Sequence, residues 1–152
     1  MAYWLFKSEP DEYGIDDLAR DRIEPWTGIR NYQVRNMIRD DMKVGDEVIF
    51  YHSSCAVPGV AGLAKISREA YPDLLQFDPK SPYFDAGSRR DDPRWLLVEI
   101  EFVRKFARIV TLAELKQHPG LVDFRLNQRG NRLSIFPVTE KQRNVILKLE
   151  QA

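Results

Sequence analysis

Side chains that can stack on a flat ligand and hydrogen-bond to it lie close together between residues 24 and 36. Trp26 follows a proline and precedes Thr-Gly, a setting more typical of a pocket wall than of a core. The next segment predicts a helix, because its apolar residues are spaced i, i+3, i+4 at Val34, Met37 and Ile38. At about 100° per residue, Arg30 and Asn31 project to the same side as these apolar residues. We therefore predict a small pocket with an aromatic wall and inward polar groups.

This combination suits a nucleobase that has left its stack. Such a base is bound by stacking on an aromatic face and by hydrogen bonds to its edges. Trp26 could supply the face, and Asn31, Ser8 and Ser53 the edge contacts. Of the other tryptophans, Trp4 is expected in the core, and Trp95 is assigned to neither place.

One distinctly basic stretch lies near the C-terminus. Residues 125–132 carry Arg125, Arg129 and Arg132 and no acidic residue. Together with Arg35 and Arg39 they could hold the phosphates that flank a bound base. A solvated surface loop explains the same composition equally well.

Catalysis is a second possibility. His52 adjoins two serines, but neighbouring side chains of an extended segment point apart, so an acid–base dyad is not favoured there. Lys7 and Glu9 lie on one side of a predicted strand at i, i+2, where an ordinary ion pair is more probable than an acid–base pair. Cys55 has no evident activating partner, so we expect it to be inert. The common nucleotide-binding, metalloprotease and serine-hydrolase motifs are absent from the sequence.

Composition limits the remaining classes. The 152 residues suffice for one domain, and 23 basic residues balance 23 acidic ones, so no global charge draws the chain to nucleic acid or membrane. One cysteine and two histidines predict no disulfide and no metal site, and the missing cofactor-binding motifs predict no cofactor. No apolar run approaches the roughly 18 residues of a membrane span. We expect a cytoplasmic protein without a membrane partner.

The elements that must position these residues follow from periodicity and turn residues. Strands are predicted at 2–7, 47–52, 60–66, 95–103 and 133–136, and helices at 15–19, after residue 31, after Thr111 and after Thr139. A long ordered excursion, rich in proline and aromatic residues, fills residues 71–93. Helices inserted irregularly between short strands favour a single α+β domain over residues 1–152, with a small, mostly antiparallel sheet or barrel.

Several motifs in this order resemble the EVE domain family, and the resemblance runs nearly from end to end. The matching motifs are Tyr3–Pro10, Trp26–Asn36, Phe50–Ser53, Pro79–Asp85, Pro93–Trp95 and Arg132–Val138. The resemblance implies a PUA-like fold, a small, mostly antiparallel β-barrel flanked by helices, related to the YTH readers of methylated adenine. It also implies binding of a modified nucleobase, with modified cytosine in DNA as the favoured ligand class.

Carried onto this sequence, the family pocket comprises Lys7, Ser8, Trp26, Asn31, Ser53, Arg132 and Ser134, with Tyr32 and His52 close by. The flanking nucleic-acid backbone is assigned to Arg35, Arg39, Arg125 and Arg129. The sequence departs from many relatives at Ile135-Phe136, where they carry Val-Gln, and this change falls beside the pocket.

We therefore predict a non-enzymatic binder of modified cytosine in DNA, or of a modified base in RNA. The alternatives are a nuclease or base hydrolase that uses Lys7, Glu9 or His52, and a small-metabolite binder that uses the same pocket. The sequence leaves open the choice between DNA and RNA, the modification, the pathway and the oligomeric state.

Overall fold

The structure, a computed structural model, describes residues 1–128 and 133–152. The strands are β1 (Tyr3–Ser8), β2 (Ile23–Pro25), β3 (Glu47–His52), β4 (Gly59–Pro72), β5 (Leu96–Thr111) and β6 (Ile135–Val138). The helices are α1 (Pro10–Tyr13), α2 (Ile15–Asp21), α3 (Tyr32–Asp40), α4 (Leu112–Gln117) and α5 (Glu140–Gln151). No helix in the described ranges is both long enough and apolar enough to cross a bilayer.

The strands form one mixed sheet in the order β2-β5-β4-β3-β1-β6. β1 and β3 are parallel, and the other four neighbouring pairs are antiparallel. The prediction of an α+β, mostly antiparallel fold is therefore confirmed, but the closed barrel is wrong, because no pairing in the described part of the chain joins β2 to β6. Both edge strands are short and contain a proline, Pro25 or Pro137, which cannot donate to a further ladder.

The parallel pairing of β1 with β3 brings their carboxyl ends together. Its register runs from Tyr3 opposite Glu47 to Ser8 opposite His52. β6 approaches β1 from the other side in antiparallel fashion, so the residue before β6 reaches the same edge. Two hydrogen bonds fix this meeting point: the Lys7 N–H donates to the Ser134 carbonyl at 2.8 Å, and the Ser53 N–H donates to the Ser8 carbonyl at 2.9 Å.

The sheet carries a hydrophobic cluster on each face, because side chains alternate along its strands. Trp4 and Phe6 belong to one cluster, together with Val34 and Ile38 from the predicted apolar stripe of α3. Leu5 belongs to the other cluster, which α5 helps to cover. Trp4 and Trp95 are both buried, which confirms the core prediction for Trp4.

β4 and β5 extend well beyond the predicted strands. The pairing between them shifts register at four places, and each shift interrupts the regular alternation by which a strand is recognised. β2 was not predicted, since three residues are too few to show a period. The excursion between β4 and β5 is ordered around the buried side chain of Gln76, which donates to the carbonyls of Asp73 and Trp95.

Candidate functional site

A cavity of about 440 Å³ opens where β1, β3 and β6 meet. The segment that follows β2 closes it from the side of Trp26. Its lining residues are Lys7, Ser8, Glu9, Glu12, Tyr13, Glu24, Pro25, Trp26, Thr27, Ile29, Ser53 and Ser134. Five residues of the predicted site, namely Lys7, Ser8, Trp26, Ser53 and Ser134, are thus brought together from four separate parts of the chain.

Trp26 forms the aromatic wall. Its backbone N–H donates to the Val98 carbonyl at 2.9 Å, so it continues the ladder between β2 and β5 by one residue. Its ring packs edge-on against Phe50 and Tyr13, with centroids 5.8 and 6.1 Å away, and tilted against Phe6 at 5.7 Å. The ring is only partly buried, so it is held in place while it still contributes surface to the cavity.

Polar groups face the aromatic wall. The Ser8 hydroxyl donates to the Tyr13 carbonyl at 2.5 Å, which joins the end of β1 to α1. The Lys7 ammonium lies 5.8 Å from the centroid of the Phe136 ring, and burial lowers the pKa of Lys7. The ion pair expected between Lys7 and Glu9 is not formed within the described residues.

Phe136, which was expected beside the pocket, is fully buried against Phe124 and does not line the cavity. It nonetheless lies beneath Lys7 and so affects the surroundings of the ammonium group.

The cavity also has an acidic side that the sequence analysis missed. Glu24 lies within β2 and lines the cavity together with Glu12 and Tyr13. Burial, followed by the nearby charge of Asp21, raises the pKa of Glu24. Glu24 and Trp26 are two residues apart, and in a strand this spacing places both side chains on the same face. The sequence could have indicated Glu24 in this way only if β2 had been recognised as a strand.

Asn31 does not line the cavity. It is the N-cap of α3, and its side-chain oxygen accepts a hydrogen bond from the Val34 N–H at 3.0 Å. The expectation that Asn31 turns inward is wrong, because the capping position precedes the first helical turn and its side chain is exposed.

Arg30 faces inward as predicted, but it contacts Asp73 and not the cavity. Its guanidinium pairs with the buried Asp73 at 3.1 Å. It lies 5.4 Å from the centroid of the Tyr83 ring and 5.5 Å from that of Trp95. These contacts anchor the segment between Trp26 and α3 to the excursion that follows β4.

Tyr32 and His52 lie outside the cavity lining as well. Tyr32 packs on Trp95, with centroids 4.8 Å apart, and borders a second depression together with Arg35 and Arg39. The Nε2 atom of His52 accepts a hydrogen bond from the Ile15 N–H at 3.1 Å, and burial lowers the pKa of His52. His52 thereby connects β3 to α2.

The predicted backbone-binding arginines are dispersed. Arg35 donates to the Arg94 carbonyl at 3.0 Å, and Arg39 pairs with Asp40 at 2.8 Å. Arg125 is exposed in a 3-10 turn, Arg125–Asn127. Arg129 and Arg132 lie outside the described residues.

A buried carboxylate holds the segment that carries Trp26. Asp73 accepts hydrogen bonds from the backbone N–H of Gly28 at 2.9 Å and from Arg30. Gly28 has φ +86°, and a Cβ on it would come within 2.8 Å of the Tyr83 ring. The path of this segment is therefore fixed by contacts on both of its sides.

Comparison with known proteins places this site in context. Residues 2–149 match the family model described as EVE domain. Thymocyte nuclear protein 1 from Homo sapiens is 40% identical over 168 residues, which cover 99% of this chain and 74% of that protein. The crystal structure of a Pseudomonas putida protein is 52% identical with a TM-score of 0.94, covering 98% of this chain and 99% of that one. Human THYN1 protein in complex with 5-methylcytosine containing DNA superposes with a TM-score of 0.94 at 40% identity, covering 100% of this chain and 99% of that one.

Proposed function

The chain belongs to the EVE domain family, and from that premise we propose that it binds a modified nucleobase without catalysing a reaction. The favoured ligand is 5-methylcytosine in DNA, and a modified base in RNA is the second choice. One observation carries the proposal: the partly exposed Trp26 ring and the polar side chains of Lys7, Ser53 and Ser134 line one cavity of about 440 Å³. The DNA-bound complex of the human relative supports the choice of ligand.

In this proposal the base leaves the stack and packs against Trp26. Stacking on an aromatic side chain contributes about 1–3 kcal/mol per base, enough to offset part of the cost of unstacking. The Lys7 ammonium and the hydroxyls of Ser53 and Ser134 donate to the ring nitrogen and carbonyl oxygen of the base edge. Ser8 contributes by holding the end of β1 against α1.

The remaining predicted site residues take supporting roles in the proposal. Asn31 positions the segment between Trp26 and α3 by capping the helix, and His52 and Tyr32 brace the neighbouring elements. Arg35, Arg39, Arg125 and Arg129 contact the flanking sugar-phosphate backbone, and Arg132 contacts the base. We also propose a cytoplasmic location.

The test compares short duplexes that contain cytosine or 5-methylcytosine at one position, using fluorescence anisotropy. We expect wild type to prefer the methylated duplex, and Trp26→Ala to weaken binding about 5- to 150-fold, the equivalent of one stacked base. Phe84→Ala, which removes an exposed aromatic ring outside the cavity, is the matched control and should retain affinity. If wild type binds both duplexes with equal affinity, and Trp26→Ala binds them as tightly as wild type does, the proposal is contradicted.

The alternative enzyme is favoured by one observation, that Lys7 and Glu9 line the same cavity. Labelled DNA and RNA, with and without 5-methylcytosine, are incubated with the protein and separated on denaturing gels. Turnover that is lost in Lys7→Ala would establish a nuclease or base hydrolase instead. Binding of free 5-methyl-2′-deoxycytidine as tightly as of the duplex would favour a small-metabolite binder.

A further inference from the structure

Glu24 and Trp26 project to the same side of one extended segment. β2 pairs with β5 through Glu24 opposite Ile100, and the Trp26 N–H continues this ladder to Val98. Residues two apart in a strand point to the same face. Both side chains line the cavity, so a carboxyl group accompanies the aromatic wall on the same strand.

The Glu24 carboxyl group has no hydrogen bond or ion pair within the described ranges 1–128 and 133–152. It is half-buried, and the charged groups that act on it are Asp21, Arg20 and Asp17 of α2. A half-buried carboxylate without a donor costs free energy, and a ligand donor would remove that cost. By contrast, Glu9 and Glu12 are exposed and solvated at the rim.

A carboxylate distinguishes nucleobases by their exocyclic groups. Cytosine presents an amino donor at N4, to which Glu and Asp side chains are suited, whereas thymine presents the O4 acceptor at the same position. Two acceptors facing each other repel, so a carboxylate there favours cytosine. Thymine carries the same 5-methyl group as 5-methylcytosine, so apolar contact with the methyl group cannot separate the two bases.

We propose that Glu24 is a specificity-determining residue that accepts a hydrogen bond from the exocyclic amino group of the bound base. The cavity thereby selects 5-methylcytosine against thymine. This inference rests on the proposed function and adds an acceptor to the donors Lys7, Ser53 and Ser134. A cytosine edge, with one donor and two acceptors, is complementary to that set.

The test places 5-methylcytosine or thymine opposite an abasic site in one duplex, so that neither base must break a pair. We expect wild type to bind 5-methylcytosine about 5- to 150-fold more tightly than thymine, the range of one good base contact. In Glu24→Gln the ratio falls, because a carboxamide donates to O4 as well as accepting from N4. It stays above one, because the donors that face N3 still disfavour the protonated N3 of thymine. Glu24→Ala loses affinity for 5-methylcytosine and gains affinity for thymine, because the repulsion between the carboxylate and O4 is removed.

Two controls isolate the contact. Glu12→Gln removes the same charge from the same cavity, and we expect both affinities to rise together with an unchanged ratio. In the wild-type protein, replacing 5-methylcytosine by 5-methyl-2-pyrimidinone removes only the amino group. It should weaken binding, but by less than thymine does, because a C4–H group neither donates to Glu24 nor repels it. This second arm needs no variant, so it tests the contact even if a substitution disturbs folding.

The outcomes separate the two proposals. If wild type binds neither duplex, the proposed function fails. If wild type binds 5-methylcytosine in a Trp26-dependent way but Glu24→Gln keeps the full preference over thymine, the assignment of Glu24 alone is overturned. Equal binding of 5-methylcytosine and 5-methyl-2-pyrimidinone by wild type would overturn it as well.

Discussion

At the scale of single residues, Asn31 connects the cavity to the helix behind it. Its side-chain oxygen accepts from the Val34 N–H, one of the orphan donors at the start of α3. The cap fixes where the helix begins and therefore where the segment leading from Trp26 ends. Asn31 contributes to the site through backbone position, whether or not a ligand touches it.

We expect Asn31→Ala to lower the free energy of unfolding by about 1 kcal/mol, the usual cost of losing a cap. Asn31→Asp should retain stability, since a carboxylate oxygen caps equally well and suits the positive end of a helix. Urea denaturation followed by circular dichroism measures both. A direct contact with the base would appear as lost affinity in Asn31→Asp at unchanged stability.

His52 gives a pH-dependent contribution to stability. Burial lowers its pKa below 6.5, opposed by the charges of Asp16 and Asp17, and its neutral form accepts from the Ile15 N–H. Between the folded and unfolded pKa values the unfolded chain binds more protons, so the stabilisation present above pH 6.5 is lost as pH falls through the folded pKa.

We therefore expect the midpoint of thermal unfolding to decrease from pH 7.5 to pH 5.5 in wild type. The decrease should be smaller in His52→Gln, because glutamine can accept from the Ile15 N–H but does not titrate in this range. Differential scanning calorimetry at matched ionic strength measures the difference. An identical decrease in both proteins would contradict a contribution from His52.

At the scale of elements, the segment between β2 and α3 depends on the excursion that follows β4. Asp73 accepts from the Gly28 N–H, and the Tyr83 ring lies where a Gly28 side chain would be. Neither Asp73 nor Tyr83 lines the cavity. They nevertheless fix the chain that carries Trp26, so stability and binding should be coupled here.

Gly28→Ala and Gly45→Ala form a matched pair that tests this coupling. Both glycines have positive φ, +86° and +93°, so each alanine costs about 1 kcal/mol in backbone strain. Only the Gly28 variant also meets the Tyr83 ring, whereas nothing lies within 4 Å of the Gly45 position. We expect Gly28→Ala alone to lose both further stability and 5-methylcytosine affinity, measured by denaturation and anisotropy.

Removing the Tyr83 ring tests whether its contact with the added methyl group causes the loss of affinity in Gly28→Ala. In Gly28→Ala with Tyr83→Ala, the added methyl group has room, so binding should recover relative to Gly28→Ala. If it does not recover, backbone strain rather than the Tyr83 contact disturbs the segment.

The sequence predicted those elements that show a clear period. β3 was predicted with its exact bounds, and the capping boxes at Thr111 and Thr139 marked the starts of α4 and α5. It missed β2 and the far halves of β4 and β5, because short strands and bulges erase the alternation on which such a prediction depends. For the same reason it missed Glu24, whose direction is determined by a partner strand some seventy-five residues later.

The site residues divide in the same way. Lys7, Ser8 and Ser53 stand at the ends of recognisable strands, so the parallel pairing of β1 with β3 was enough to bring them together. Asn31 and His52 satisfy backbone donors instead, Asn31 the nearby Val34 N–H and His52 the Ile15 N–H of another element. The sequence shows that a polar side chain is present, but it does not show whether that side chain bonds to a backbone N–H or to a ligand.

At the scale of the whole molecule, charge is balanced and widely dispersed. The formal net charge is zero, and most arginines in residues 1–128 and 133–152 pair with carboxylates or carbonyl groups of the chain. Long-range attraction to DNA is therefore weak. Binding must depend on the cavity and on a few local phosphate contacts.

We accordingly expect a shallow salt dependence, with a slope of log K against log salt no steeper than about −4, since each of the four proposed arginine contacts to phosphate contributes about −0.9. Arg35→Ala should weaken binding equally for methylated and unmethylated duplexes and reduce the slope by about one contact. Lys141→Ala, an exposed charge on α5, is the control. A slope steeper than about −5 would contradict a cavity-driven mode.

The meeting of β1, β3 and β6 at one edge also has a consequence for how the site comes into being. Lys7 and Ser134 share a hydrogen bond across almost the full length of the chain, so the wall between them is a contact of very high sequence separation. Such contacts form late, after the intervening loops have closed. During synthesis, a chain that has released β1 to β5 still lacks this wall. Acquisition of base binding would therefore report one late step of folding, the docking of β6 onto β1.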